Sequence, residues 1–357
     1  MKKTIFSIAL MLFATVMSAQ SLKINDMEYF ERQGVNILTF TNGYHGGFND
    51  EKLSGIEIIH HGVRTAQGGS IRLNNTPEQW DLVPDLLYRN VDAADGSIQV
   101  GLRFPYYDFD SKIIVKAKGE GVEISVWLDK PVPEAIAGEA GFNLEFLPAE
   151  YWSKSYIMDG SYERFPRYAA SSTITRPNSE KPHQFKGFRT YDDRGTGTFV
   201  DPLPFAKGHE LIIAPEAPER MVKVSSDLEL NLFDGRILAQ NGWFVLRSIL
   251  PAGKTGKVLT WMVEPNAIKG WIREPNIGFN QAGYMPDQDK LAVIELDKLD
   301  KVEPKASIMK INSDGTESTA YTGDVKEWGR YFRYNYAHFD FSSVKEPGVY
   351  YIQYGSK

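Results

Sequence analysis

His60 and His61 stand side by side in the run Gly55-Ile56-Glu57-Ile58-Ile59-His60-His61-Gly62-Val63-Arg64. Imidazoles serve as metal ligands and as acid–base groups near neutral pH. Adjacent residues of a strand point to opposite faces, so these two are expected not to grip one ion. Glu145 alternates with Leu144 and Phe146. A carboxylate so placed, paired with a histidine that protonates a ring oxygen, would be acid–base equipment for opening a sugar. The simpler expectation for Glu145 is a solvated strand face. Trp80, Tyr106 and Tyr107 have polar flanks in Glu78, Gln79, Asp81, Asp108 and Asp110. Such rings can stack on a sugar while their neighbours bond its hydroxyls, with core packing as the competing role. Asp92-Ala93-Ala94-Asp95-Gly96 reads as a turn, and Asp192-Asp193-Arg194-Gly195-Thr196-Gly197 is another that lacks the ligand spacing of a calcium loop. No catalytic residue, metal ligand or cofactor follows from these patterns.

The elements that must carry these residues are short β-prone runs bounded by Gly, Pro, Asn and Asp. Lys112 to Ala117 and Val122 to Leu128 flank Gly119-Glu120-Gly121, a hairpin pattern. Asp227 to Phe233 places Leu228, Leu230 and Leu232 on one face. Trp243 to Leu250 and Lys257 to Val263 flank Pro251 to Gly256 and predict another hairpin. Pro77 to Leu87 allows a turn or two of helix but is interrupted by Pro84. Arg164 to Gln184, rich in proline, serine and threonine, predicts a long surface loop. The fold class is therefore all-β: a large antiparallel β-sandwich followed by a smaller one. The join is placed at Pro265 to Pro275, since two prolines ten residues apart break sheet pairing at both ends of a connection.

Composition narrows the functions. Lys2 and Lys3, the apolar run from Ile5 to Val16, and Ser18-Ala19 predict a secretory signal peptide over residues 1–19 with cleavage before Gln20. Export to the periplasm or beyond is expected, with no membrane span afterwards. The chain has no cysteine, which excludes disulfides, thiolate metal sites and a lipidated cysteine. The formal charge of -6 becomes two units more negative without the signal lysines, and basic residues are interspersed with acids. Nucleic acid is excluded as a partner on that ground, because its binders need a basic stripe. Neutral polysaccharide remains open.

Two separated motifs carry a resemblance. Ile277-Gly278-Phe279-Asn280-Gln281-Ala282-Gly283-Tyr284-Met285-Pro286, followed by Lys290-Leu291-Ala292-Val293, is similar to the opening of the immunoglobulin-like module that precedes the catalytic domain in family 9 glycoside hydrolases. Asp340-Phe341-Ser342 and Glu346-Pro347-Gly348-Val349-Tyr350-Tyr351-Ile352 resemble its closing part. The runs around His60, Trp80, Gly141 to Pro148 and Ala239 to Phe244 more loosely resemble an accessory β-domain placed before that module.

The resemblance implies a division into residues 20–266 as accessory β-sandwich, 267–275 as connection and 276–357 as immunoglobulin-like domain, cut short before its end. It also implies a parent that hydrolyses β-1,4-glucan-type polysaccharide by inversion, with the module bracing a catalytic domain that is the chief partner and is missing here. The family's catalytic domain is helical and aspartate-rich, and nothing in this sequence matches it. A stand-alone carbohydrate-binding protein and a mutarotase-like enzyme using Glu145 are the rival readings. Leu291 to Leu296 predicts a buried strand, Asn312-Ser313-Asp314-Gly315 a hairpin turn, and Pro347-Gly348 the start of a strand through Tyr350, Ile352 and Tyr354.

Overall fold

The computed structural model describes residues 21–40, 55–74, 82, 84–169, 171–177, 198–237 and 242–357. The signal segment and Trp80 lie outside the described residues, as do Asp192 to Gly197. The described residues form two compact units, one drawn from residues 21–59 and 64–266, the other from residues 60–63 and 267–357. Among the described residues no helix is long and apolar enough to cross a membrane.

The first unit contains β1 (Lys23–Ile24), β2 (Phe30–Arg32), β3 (Val35–Thr39), β4 (Ile56–His60), β5 (Val63–Arg72), β6 (Asp85–Asp92), β7 (Ser97–Phe104), β8 (Phe109–Lys118) and β9 (Gly121–Leu128). It continues through β10 (Gly141–Phe146), the single helical turn α1 (Pro148–Tyr151), β11 (Ser155–Met158), β12 (Ser161–Arg164), β13 (Thr173–Pro177), β14 (Thr198–Pro202), β15 (Ala206–Ile213), β16 (Val222–Asp234), β17 (Phe244–Ile249) and β18 (Gly256–Pro265). All but β13 and β14, which pair with each other, belong to one antiparallel sheet, whose main path runs β1-β2-β3-β4-β5-β10-β17-β16-β18-β9-β8-β7-β6.

That sheet curls on itself through β16. Val222 to Ser226 pair with β18, and Asn231 to Asp234 pair with β17, so one long strand serves both halves. Phe142 of β10 and Trp261 of β18, well separated along the path, therefore meet edge to face with ring centroids 5.0 Å apart. The core between the halves is built from alternate residues, among them Phe142, Leu144, Phe146, Leu232, Leu246 and Trp261. The hairpin predicted from Trp243 to Val263 does not form. β16 stands between β17 and β18, because a strand long enough to bend can pair with one of them at each end. The predicted loop from Arg164 to Gln184 contains β13, where β-branched Thr173, Ile174 and Thr175 pair with β14. At Asp85 to Leu87, where part of a helical turn was open, β6 has already begun.

The second unit is a separate six-stranded antiparallel sheet of β19 (Asn276–Gly278), β20 (Leu291–Asp297), β21 (Lys305–Ile311), β22 (Glu317–Tyr331), β23 (Tyr334–Asp340) and β24 (Val349–Gln353). Its order is β19-β20-β23-β22-β21-β24, so β19 and β24 are its two ends. The core holds Ala292, Ile294, Leu296, Ile308, Phe339 and Tyr354. The turn at Asn312 to Gly315 joins β21 to β22, with Gly315 at φ 78. β20 is not buried on both faces as its apolar run suggests: Leu291 is 44% and Val293 37% exposed. No second layer covers that face within the unit, so the strand is only half-buried.

Candidate functional site

Strand β10 is buried along its whole length, and its alternation sends Asn143 and Glu145 to the face opposite Phe142, Leu144 and Phe146. Register fixes their company. Asn143 lies across from Arg247 of β17 and Ser70 of β5, and Glu145 lies across from Val245 and Gln67. Between those pairs Gly68 and Gly69 form a bulge, where a Cβ on Gly68 would stand 2.5 Å from Glu145 Oε2. Gly68 also has φ +68, so only glycine suits both the backbone and the carboxyl lying over it.

Glu145 is therefore buried, and the solvated strand face expected from its alternation is corrected. An arginine, Arg72, approaches its Oε1 at 3.6 Å. Arg247 is fully buried; its guanidinium donates to Asn143 Oδ1 at 2.7 Å and to the carbonyls of Asn74 and Glu139. Burial pushes the Glu145 carboxyl up, against the opposing pull of the Arg72 charge and the Gln67 hydrogen bond. The sheet thus gives Glu145 Arg72 and Gln67 as company.

The sign of that shift makes a test. The folded chain holds this proton more tightly than the unfolded chain, whose glutamates titrate near about 4.3. The group's contribution is fully present below that range and is lost as pH rises through the folded value. Relative to the native chain, the urea midpoint of Glu145→Gln is expected to rise between pH 4 and pH 8. A difference independent of pH would exclude a raised carboxyl.

The two histidines depart from the strand rule. His61 sits in a turn at φ 49, not on the strand, so the rings of His60 and His61 stack with centroids 4.6 Å apart. His61 Nε2 accepts a hydrogen bond from Ile268 N at 3.1 Å, and its ring meets Trp271 edge-on. Among the described residues no group of three or more His, Asp or Glu side chains is arranged to hold a metal ion.

Tyr106 and Tyr107 lie in the turn between β7 and β8, their rings 4.8 Å apart and nearly perpendicular. Tyr106 is 67% exposed and so is not core. Asp108 beside them is held by Arg103 at 2.5 Å and Lys130 at 3.3 Å, and hydrogen bonding to Lys130 lowers its carboxyl below the usual range.

The second unit has a cleft that the sequence reading did not locate. Its volume is about 660 Å³, and its walls include Ile277, Phe279, Tyr284, Phe341, Val349 and Tyr351. Both end strands of the sheet border it. Among the described residues β24 pairs only with β21, which leaves the backbone groups of its outer edge without a strand partner.

The motif residues are tied to one another by local hydrogen bonds. Asn280 Oδ1 accepts from Ala282 N at 3.0 Å, and the Tyr284 hydroxyl accepts from Asn280 N at 2.8 Å. The buried Lys290 ammonium donates to the carbonyls of Pro286 and Gln288. Asp340 Oδ1 caps Ser342 N, and Ser342 Oγ in turn accepts from Lys290 N, tying the opening motif to the closing one.

Residues 273–357 match the family described as cellulase N-terminal ig-like domain. No curated protein matches the chain. The immunoglobulin-like fold of the second unit and its kinship with modules found at the N-terminal side of cellulases rest on that match together with the strand order.

Proposed function

We propose that this chain is the exported, non-catalytic N-terminal region of a family 9 glycoside hydrolase acting on β-1,4-glucan-type polysaccharide. In this reading the immunoglobulin-like domain braces a catalytic domain that follows it. The match at residues 273–357 carries the reading. The cleft between β19 and β24 supports it, because a free strand edge beside an apolar groove suits a further strand contributed by the continuing polypeptide. Phe279, 53% exposed, lines that cleft and offers apolar contact. Interfaces between domains of one chain commonly bury about 600 to 1,500 Å².

Inverting hydrolysis needs two carboxylates roughly 6.5–9.5 Å apart on opposite faces of the sugar. Glu145, with Arg72 against it and Gly68 beneath, is built as a buried group and not as one half of such an open pair. Purified residues 20–357 are accordingly expected to release no reducing sugar from carboxymethylcellulose, xyloglucan or mixed-linkage glucan. Turnover well above buffer that a single carboxylate substitution abolishes would overturn the non-catalytic reading. The coding sequence downstream of Lys357 decides the rest: an in-frame, aspartate-rich helical domain is expected, and a stop codon there would defeat the proposal.

A further inference from the structure

The outer face of β20, β23 and β22 is open at Val293 and Trp328, while Arg273 lies over part of it, 2.8 Å from Glu295 and 4.6 Å from the centroid of the Tyr334 ring. Register places Val293 opposite His338, Glu295 opposite Tyr336, and Tyr336 opposite Gly329. The inward residues between them, Ala292, Ile294, Ala337 and Phe339, are core. A bulge between Glu327 and Gly329 inserts Trp328 into β22 as an extra residue. Gly329 takes φ +121, a conformation that L side chains rarely adopt. Bulges re-aim side chains, and this one turns Trp328 onto the outer face. Its indole meets Tyr336 at 6.2 Å and His338 at 6.3 Å, yet stays 57% exposed.

A second exposed aromatic pair follows where that strand ends, Phe332 lying in the turn to β23. Tyr331 and Phe332, 56% and 63% exposed, touch with centroids 4.3 Å apart. Phe332 holds φ 48, a left-handed conformation that bulky side chains disfavour. Register places Gly329 opposite Tyr336 and Tyr331 opposite Tyr334, so Trp328 and Tyr331 follow each other along one strand.

We propose that this face is a stacking platform for a neutral, extended β-1,4-linked polysaccharide, with Trp328 and the Tyr331–Phe332 pair as its two ring contacts. The choice of polymer rests on the function proposed above; the existence of the platform rests on the bulge and the exposed rings. Lys326, opposite His338, borders the rings and supplies a donor for sugar hydroxyls, while Glu295 is taken up by the Tyr336 hydroxyl at 3.0 Å and by Arg273 at 2.8 Å. A protein partner fits less well. Charged groups break up the apolar surface, whereas a protein interface of ordinary size covers about 800 Å² per side and is depleted of charge at its centre. The acidic balance of the chain disfavours a polyanion.

Depletion onto amorphous cellulose, with xyloglucan and mixed-linkage glucan in affinity gels, tests the platform on residues 20–357. The native chain is expected to be retained, Trp328→Ala to weaken retention about tenfold or more as loss of an aromatic anchor does, and Trp328→Phe to restore part of it. Trp152→Ala, which removes an exposed ring of the first unit, is expected to change nothing. Matching thermal midpoints of native and Trp328→Ala chains establish that folding is intact. Absence of native retention on all three polymers overturns the platform, as does retention indifferent to Trp328→Ala. A native dimer that Trp328→Ala converts to monomer, without polysaccharide retention, overturns it in favour of self-association. None of these outcomes alters the reading of the coding sequence beyond Lys357, so the two proposals fail separately.

Discussion

Trp261→Ala is expected to lower the unfolding free energy by about 3–5 kcal/mol, the usual cost of truncating a large buried aromatic side chain. Trp261 is fully buried, meets Phe142 edge to face across the curl of the large sheet, and donates its indole N–H to Ser248 Oγ at 3.0 Å. Ser248 passes the bond on to the Glu229 carbonyl at 2.9 Å. The substitution therefore removes both the packing between the halves and a satisfied polar contact. Trp261→Phe keeps most of the volume and should lose only part of that amount, which separates packing from hydrogen bonding. Urea midpoints at fixed pH measure both. A loss below about 1 kcal/mol for the alanine variant would mean that the two halves do not share one core.

Asp234→Ala should be comparably damaging, by about 3–5 kcal/mol, because it leaves a largely buried cation without its counter-ion. Asp234 is fully buried and holds Arg236 through two contacts of 2.8 Å. The same guanidinium lies over the Phe244 ring, 4.5 Å from its centroid, and donates to the carbonyls of Pro166 and Arg167. One acid thus orients a fork that ties the segment after β12 to the end of β16. The double variant Asp234→Ala with Arg236→Met should cost much less than the sum of the two single changes, since the orphaned charge is gone. Additive losses would show that the pair acts only as two separate contacts.

The sequence made the all-β class legible wherever local pattern and pairing coincide. Gly119-Glu120-Gly121 does join β8 to β9, and Asn312 to Gly315 does join β21 to β22, because a tight turn obliges its flanking strands to meet. Pairing between distant strands left no such mark. Nothing local announces that β16 divides its length between β17 and β18, so two strands that flank a short turn were read as partners. β20 misled for a different reason: an apolar run predicts burial on both faces only when a layer covers each, and Leu291 and Val293 face outward.

For the candidate sites the sequence showed residue types but not surroundings. Glu145 alternates as a half-exposed strand residue would, and its burial depends on Arg72 and the Gly68-Gly69 bulge of a strand far away in the chain. A signal for the bulge was present in that glycine pair inside an otherwise β-prone run. Gly329, directly after Trp328, is the same signal in the second unit. Tyr106 is exposed, not core, and nothing local in the sequence tells it apart from a core tyrosine.

The placement of β9 bears on how the polypeptide is made. β9 ends at Leu128, and the strand that covers its second edge, β18, begins only at Gly256. Translation delivers these partners far apart in time, so a nascent chain carrying β6 to β9 displays an uncovered hydrogen-bonding edge with Val122, Ile124 and Val126 ready to pair with any strand at hand. Closure across so long a stretch is slow, since loop entropy is spent before the contacts that offset it are made. During that interval the emerging chain is open to aggregation, and a holding chaperone that keeps β9 apart from other strands until β18 arrives would give it time to close correctly.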